Sequence, residues 1–309
     1  MDKYQIQIYA QFYTKSHVFV QGRLLKDRGL RLDANQGIFS SLISTGLRLL
    51  SREIPYTKIT LKSQYYEIHS QTDDEGYFHF LFERTETADI LDDVQLSSEI
   101  KTKTYVQACN MRAYVHKMPY GIISDIDDTL LVTHVNSRFR LRMLYNTIFV
   151  NPFKRSPVKN ASRFYRMMVN KTELPGPAIY VSNSPWNLYD YIQAFMNYNK
   201  FPSGIIQLRD FGFFLLWKKR IPSTAKYNAI TRMLSIFTDT KFTCIGDLAE
   251  QDYDIYTSLR EKYPNQIGQI ILILAGNLKN EKRIRQHIVN NKIDNIKLVN
   301  HYSELLEND

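Results

Sequence analysis

The sequence predicts a chain in two parts: an all-β part over residues 1–118, then an α/β part with a parallel sheet over 119–309. Three observations carry that prediction. Before residue 118 apolar residues recur with period two, as strands with one buried face require. From Tyr120 onward short apolar runs alternate with helical segments, the pattern of parallel α/β folds. The first of those runs, Gly121-Ile-Ile-Ser, ends in Asp125-Ile-Asp-Asp-Thr129. A length of 309 residues suits about two domains, each able to bury its own core.

In the first part, residues 5–12 place Ile6, Ile8, Ala10 and Phe12 on one face and Gln5, Gln7, Tyr9 and Gln11 on the other. Further strands are predicted over 17–24, 57–69, 77–84 and 104–116. Asp73-Asp-Glu-Gly76 reads as a turn, with Gly76 able to take positive φ. Phe39, Leu42, Ile43, Leu47 and Leu50 predict a helix over 38–50 instead, which Gly46 weakens. This half shows no acid pair, metal cluster or glycine loop.

In the second part the chemistry gathers at predicted strand ends. Side chains at i and i+2 of a strand point the same way, so Asp125 and Asp127 can face one small space. Paired carboxylates repel unless a cation lies between them, and an oxygen-only set suits Mg²⁺. One Asp can then attack phosphorus while the other carries a proton. Ala178–Ser184 is an apolar run ending in hydroxyls, where Ser182 can bond a phosphate oxygen. Lys226 lies early in a helical segment over 223–237, with Ala229, Ile230, Met233, Leu234 and Phe237 at helical spacing. Phe242–Gly246 is a further apolar run, followed by Asp247 and Asp252, which would complete a metal shell. Alone, each piece has an ordinary reading as a capping serine, a surface lysine or a capping aspartate. Together, in this order, they read as a site.

The phrases Ile123-Ser-Asp-Ile-Asp-Asp-Thr129, Tyr180-Val-Ser-Asn-Ser-Pro-Trp186, Phe201-Pro-Ser-Gly204 and Gly246-Asp-Leu-Ala-Glu-Gln-Asp-Tyr-Asp-Ile-Tyr256 are the most specific in the chain. This arrangement resembles the haloacid dehalogenase superfamily of phosphohydrolases. Within it, residues 119–275 resemble the catalytic domain of the actin-patch-associated phosphatidate phosphatases, a family with many bacterial members. The resemblance implies a Rossmann-like domain with a small cap insert at about 134–175, preceded by a small β-sandwich. It implies Asp125 as nucleophile, Asp127 as general acid and then base, and Thr129 as a brace of the loop. Ser182, Asn183 and Lys226 are implied as phosphate contacts, with Asp125, Asp127, Asp247 and Asp252 around Mg²⁺. The family usually carries Ser-Gly after the Asp at 247, where this chain has Leu248 and Ala249. The implied activity is Mg²⁺-dependent hydrolysis of a phosphate monoester, phosphatidate foremost. A phosphatase for a soluble sugar or nucleotide phosphate, and a non-catalytic lipid- or protein-binding module, stay open as alternatives.

Composition bounds the partners. With 40 basic against 31 acidic residues the net charge is +9, which fits an anionic partner without identifying it. The chain has 21 Tyr and 17 Phe, yet no zinc-finger spacing, RNA-binding signature or long Lys/Arg tract, so no nucleic acid is expected. A mean hydropathy of −0.35 and apolar runs far shorter than the ~18–20 residues of a membrane span indicate a soluble protein. The opening Met-Asp-Lys-Tyr-Gln-Ile-Gln lacks a signal peptide's apolar core, and Cys109 and Cys244 make no disulfide framework. A cytoplasmic protein is expected, with peripheral contact to anionic membrane as one option. The insert suggests that option, because Arg138, Arg140, Arg142, Lys154, Arg155, Lys159, Arg163 and Arg166 are interleaved with apolar residues. The simpler reading is a helix whose apolar face packs on the core while its arginines face water.

Overall fold

The structure is a computed structural model and describes residues 3–27, 53–85, 91, 93–116, 118–132, 152–209, 222–248, 251–274, 278–291 and 293–306. These fall into two compact units that divide between His116 and Met118. The helix expected over 38–50 lies outside the described residues, as do Arg138, Arg140, Arg142 and Ala249.

Among its described residues the first unit holds eight strands: β1 (Lys3–Thr14), β2 (His17–Asp27), β3 (Lys58–Lys62), β4 (Glu67–Gln71), β5 (Tyr77–Glu83), β6 (Gln95–Ile100), β7 (Lys103–Ala108) and β8 (Arg112–Tyr114). They form two four-stranded sheets, in the orders β5-β2-β1-β8 and β4-β3-β6-β7. All pairings are antiparallel except that of β8 with β1. Both sheets contribute to one hydrophobic cluster, Ile6, Val18, Val20 and Leu24 from the first and Ile59, Leu61 and Leu96 from the second.

The strict alternation predicted for β1 breaks at Tyr9. Ile8 pairs with Gly22 and Ala10 with Gln21, so Tyr9 is the extra residue of a bulge. The bulge reverses the phase, and Tyr13 joins the same cluster as Ile6. The strand expected over 57–69 is two, because Ser63 builds a turn: its Oγ accepts from the Tyr65 and Tyr66 amides at 3.2 and 3.1 Å. The turn at Asp73–Gly76 is as expected, with Gly76 at φ 82° and the Asp73 carboxylate accepting from the Glu75 and Tyr77 amides.

Among its described residues the second unit carries one six-stranded sheet. Its elements are β9 (Tyr120–Asp125), α1 (Ala161–Val169), β10 (Ala178–Pro185), α2 (Tyr189–Tyr198), β11 (Ile205–Arg209), α3 (Pro222–Ile236), β12 (Lys241–Asp247), α4 (Asp252–Lys262), β13 (Ile267–Ile273), α5 (Leu278–Asn290), β14 (Ile296–Val299) and α6 (Ser303–Leu306). The strand order is β11-β10-β9-β12-β13-β14 and every neighbouring pair is parallel. Strands buried on both faces read as continuous apolar runs, which is why Ile122-Ile123, Cys244-Ile245 and Ile270–Ile273 stood out in the sequence. The first strand of the unit, β9, lies between the second and the fourth. Chain order therefore reverses beside β9, and in open α/β sheets such a switch point opens a crevice at the strands' carboxyl ends.

Over 161–169 the insert is a helix packed on the core. Phe164, Tyr165, Met168 and Val169 are buried, while Arg163 and Arg166 are exposed. Cys109 and Cys244 are buried free thiols, and burial pushes Cys109 up to about 12 and Cys244 further, so both serve as small core side chains. Among the described residues no helix is long and apolar enough to cross a membrane.

Candidate active site

Asp125 is the last residue of β9 and is fully buried, its backbone paired in register with Val181. The chain then leaves the sheet. Asp128 takes φ 54°, a left-handed conformation that Asp tolerates better than most residues, and the Leu130 amide donates to the Ile126 carbonyl at 2.8 Å. Ile126 and Leu130 are sunk in the core and anchor the loop between them. Asp127 therefore stands in the turn and not on the strand, so i, i+2 spacing is not what holds it. Two hydroxyls do: Ser182 Oγ donates to Asp127 Oδ2 at 2.9 Å and Ser184 Oγ at 3.3 Å.

Those serines come from β10. Its ladder with β11 shifts between Val181 and Pro185, and residues 182–184 sit in the irregular stretch. Ser182 and Ser184 are buried and share a side of the chain, the Ser184 amide donating to Ser182 Oγ at 2.9 Å. Ser182, expected on phosphate, thus bonds Asp127 here, with Asn183 half-buried between the two serines. Ser184 was missed, although its place two residues after Ser182 in Val-Ser-Asn-Ser is the signal that marks it.

Lys226 rises from the first turns of α3 and is buried, with its Nζ 2.8 Å from Asp125 Oδ1. The same Nζ bonds Asp252 Oδ1. Asp252 opens α4, and its Oδ2 accepts from the Asp247 amide at 3.3 Å. Asp252 is expected behind the metal carboxylates; its bonds to Lys226 Nζ and the Asp247 amide tie it to α3 and to the β12–α4 connection. Gly246 is required for this packing, because a Cβ there would lie 2.3 Å from Asp252 Oδ2. Asp247 ends β12, two residues past the Ile245–Ser124 pair, and is fully buried.

Behind the carboxylates stands a wall of buried tyrosines, Tyr165, Tyr256 and Tyr302, none singled out by the sequence. Burial pushes each phenol up, and the nearby carboxylates push further, Asp252 and Asp125 on Tyr256 and Asp125 on Tyr165. They act as neutral hydrogen-bonding groups. The Tyr256 hydroxyl donates to the Ile245 carbonyl at 3.1 Å, and its ring centroid lies 5.9 Å from Lys226 Nζ. Thr129 is fully buried, and its hydroxyl makes no hydrogen bond among the described residues; its carbonyl accepts from Tyr302.

Residues 120–273, from the first residue of β9 to the last of β13, match the family described as phosphatidate phosphatase APP1, catalytic domain. That stretch belongs to the APP1 catalytic-domain family. Phosphatidate phosphatase APP1 of Saccharomyces cerevisiae is 28% identical over 184 residues, covering 59% of this chain and 30% of that protein. An uncharacterized protein of Schizosaccharomyces pombe is 29% identical over 169 residues, 52% of this chain and 27% of its own length. The chain thus spans less than a third of either relative. A solved ferredoxin-NADP+ reductase from Plasmodium falciparum aligns over 88% of this chain and 96% of its own at a TM-score of 0.23 and 7% identity, too low to argue from. Within the APP1 stretch, Asp125, Asp127, Ser182, Ser184, Lys226, Asp247 and Asp252 all lie at or just beyond the carboxyl ends of β9, β10 and β12 or at the start of a helix. Among the described residues no group of three or more His, Cys, Asp and Glu is gathered so as to hold a metal ion.

Proposed function

We propose that this chain hydrolyses a phosphate monoester, phosphatidate foremost, through a phosphorylated Asp125. One observation carries the reading: at the carboxyl end of β9, Lys226 holds a buried Asp125 while two serines hold Asp127 close beside it in sequence, inside the APP1 stretch. Asp125 attacks phosphorus, the bond to the alkoxide oxygen breaks, and Asp127 gives that oxygen its proton. Asp127 next takes a proton from water, which attacks the same phosphorus and releases inorganic phosphate and free Asp125. Lys226 opposes the charge that builds on Asp125 and the phosphoryl oxygens.

The donor set is all oxygen, and Mg²⁺ is commonly held by one or two carboxylates together with waters and substrate phosphate. The absence of a three-carboxylate cluster is therefore compatible with Mg²⁺, for which we assign Asp125, Asp127 and Asp247. When bound, the ion would neutralise developing charge on the phosphoryl group. We further assign the parallel unit to the haloacid dehalogenase type of Rossmann-like domain, which its strand order supports, and the first unit to a β-sandwich. A soluble enzyme meeting its lipid at the surface of an anionic membrane fits the net charge of +9.

A phosphate-release screen against phosphatidate vesicles and soluble phosphomonoesters, with Mg²⁺ or with EDTA, tests the proposal. Release from phosphatidate that needs Mg²⁺ and is abolished by Asp125→Asn is expected. Hydrolysis confined to soluble esters would move the substrate assignment, and full activity of Asp125→Asn would overturn the roles.

A further inference from the structure

We infer that Tyr302, beyond the stretch matched to the family, is a positioning residue that works with Tyr165 and Ser124 to clamp both ends of the Asp125–Thr129 loop. The inference rests on the phosphatase reading for its kinetic consequence and on hydrogen bonds alone for its geometry. Ser124 Oγ donates to the Asp125 carbonyl at 2.6 Å and lies 2.6 Å from the Tyr165 hydroxyl. Tyr165 in turn lies 3.3 Å from the Tyr302 hydroxyl, which donates to the Thr129 carbonyl at 3.1 Å. The line of contacts runs from one end of the loop to the other and encloses both proposed catalytic acids.

Counting protons refines it. Ser124, Tyr165 and Tyr302 bring three hydroxyl protons to four contacts, so one contact carries none. The two carbonyls can only accept, which assigns the Ser124 and Tyr302 protons to Asp125 and Thr129. Tyr165 then donates to Ser124 across the short 2.6 Å contact, and the 3.3 Å contact to Tyr302 is the one left without a proton. All five residues, Ser124, Asp125, Thr129, Tyr165 and Tyr302, are fully buried, so water offers the loop no substitute donors. Asp128, at φ 54°, sits within the clamped span, where lost hydrogen bonds would let the strained backbone relax. The physical role is to hold the nucleophile and the proton carrier in one geometry, which matters because small displacements cost rate.

Tyr302→Phe removes one proton and keeps the ring, and Tyr165→Phe does the same at the other end. Leu305→Ala, a buried α6 residue outside the clamp, controls for general loosening. Hydrogen exchange in the full chain should quicken at amides 126–131 in both Phe variants, with the β12 amides unchanged, and Leu305→Ala should not reproduce that local pattern. On phosphatidate, kcat should fall about tenfold in the Phe variants with KM little changed, while Leu305→Ala stays within about twofold. Exchange at 126–131 equal to wild type in a folded Phe variant would overturn the clamp. If either Phe variant fails to fold, the other decides. A wild-type chain without phosphatase activity would defeat the functional reading and leave the exchange result to judge the clamp.

Discussion

Lys226→Met is the substitution with the largest consequence worked from the structure. Lys226 is 2% exposed, and Asp125 and Asp252, which it bonds, are both fully buried. Met fills nearly the same volume, so packing changes little and the loss is electrostatic. Removing one partner of a buried ion pair costs about 3–5 kcal/mol, because the remaining charge stays buried without its counter-ion. Total domain stability is about 5–15 kcal/mol, so the variant should unfold at much lower denaturant. The assay is built into the chain: Trp186 is buried in the parallel unit, so its fluorescence follows the unfolding of that unit. Asp252→Asn added to Lys226→Met removes one of the two stranded charges and should restore about 1–3 kcal/mol beyond additivity. A single-variant loss below about 1 kcal/mol, or strict additivity in the double variant, would refute the assignment of these bonds.

Other outcomes follow from individual contacts. Gly246→Ala places a Cβ 2.3 Å from Asp252 Oδ2, and displacing that anchor should lower stability by about 1–3 kcal/mol, read by the same fluorescence. Asp128→Gly should be tolerated at φ 54°, whereas Asp128→Val should cost about 1–3 kcal/mol; equal unfolding midpoints would contradict the strain. Tyr165, Tyr256 and Tyr302 have phenols raised above their ordinary 10.0, so their contribution is whole below pH 10 and is lost as pH rises past it. Each should then remove about 1.4 kcal/mol per pH unit, and tyrosinate absorbance should appear together with unfolding; ionisation of these groups in the native state near pH 10 would count against their burial.

The sequence made the parallel unit legible because strands buried on both faces must be apolar throughout, and the acids interrupt them at the carboxyl ends. Asp125, Asp127, Asp247 and Asp252 stood out for that reason and Lys226 for its place early in a helical segment, and the structure joins Asp125, Lys226 and Asp252 directly. Less was legible where polar residues form strands: Gln95-Leu-Ser-Ser-Glu-Ile gives β6 on two apolar positions. The bulge at Tyr9 was hidden because both faces of β1 carry large side chains. Ser184 was visible in principle. Tyr302 was not, since its bond to Thr129 joins residues 173 apart in the chain, and no local pattern encodes a contact of that range.

Trapping the phosphorylated enzyme tests the central claim most directly. Asp127→Asn should still accept a phosphoryl group from a monoester with a good leaving group but should discharge it slowly, since no base activates the water. Rapid mixing, acid quench and peptide mass mapping should place a hydroxylamine-labile phosphate on the peptide containing Asp125. Label on another residue, or turnover by Asp125→Asn at the wild-type rate, would contradict the account.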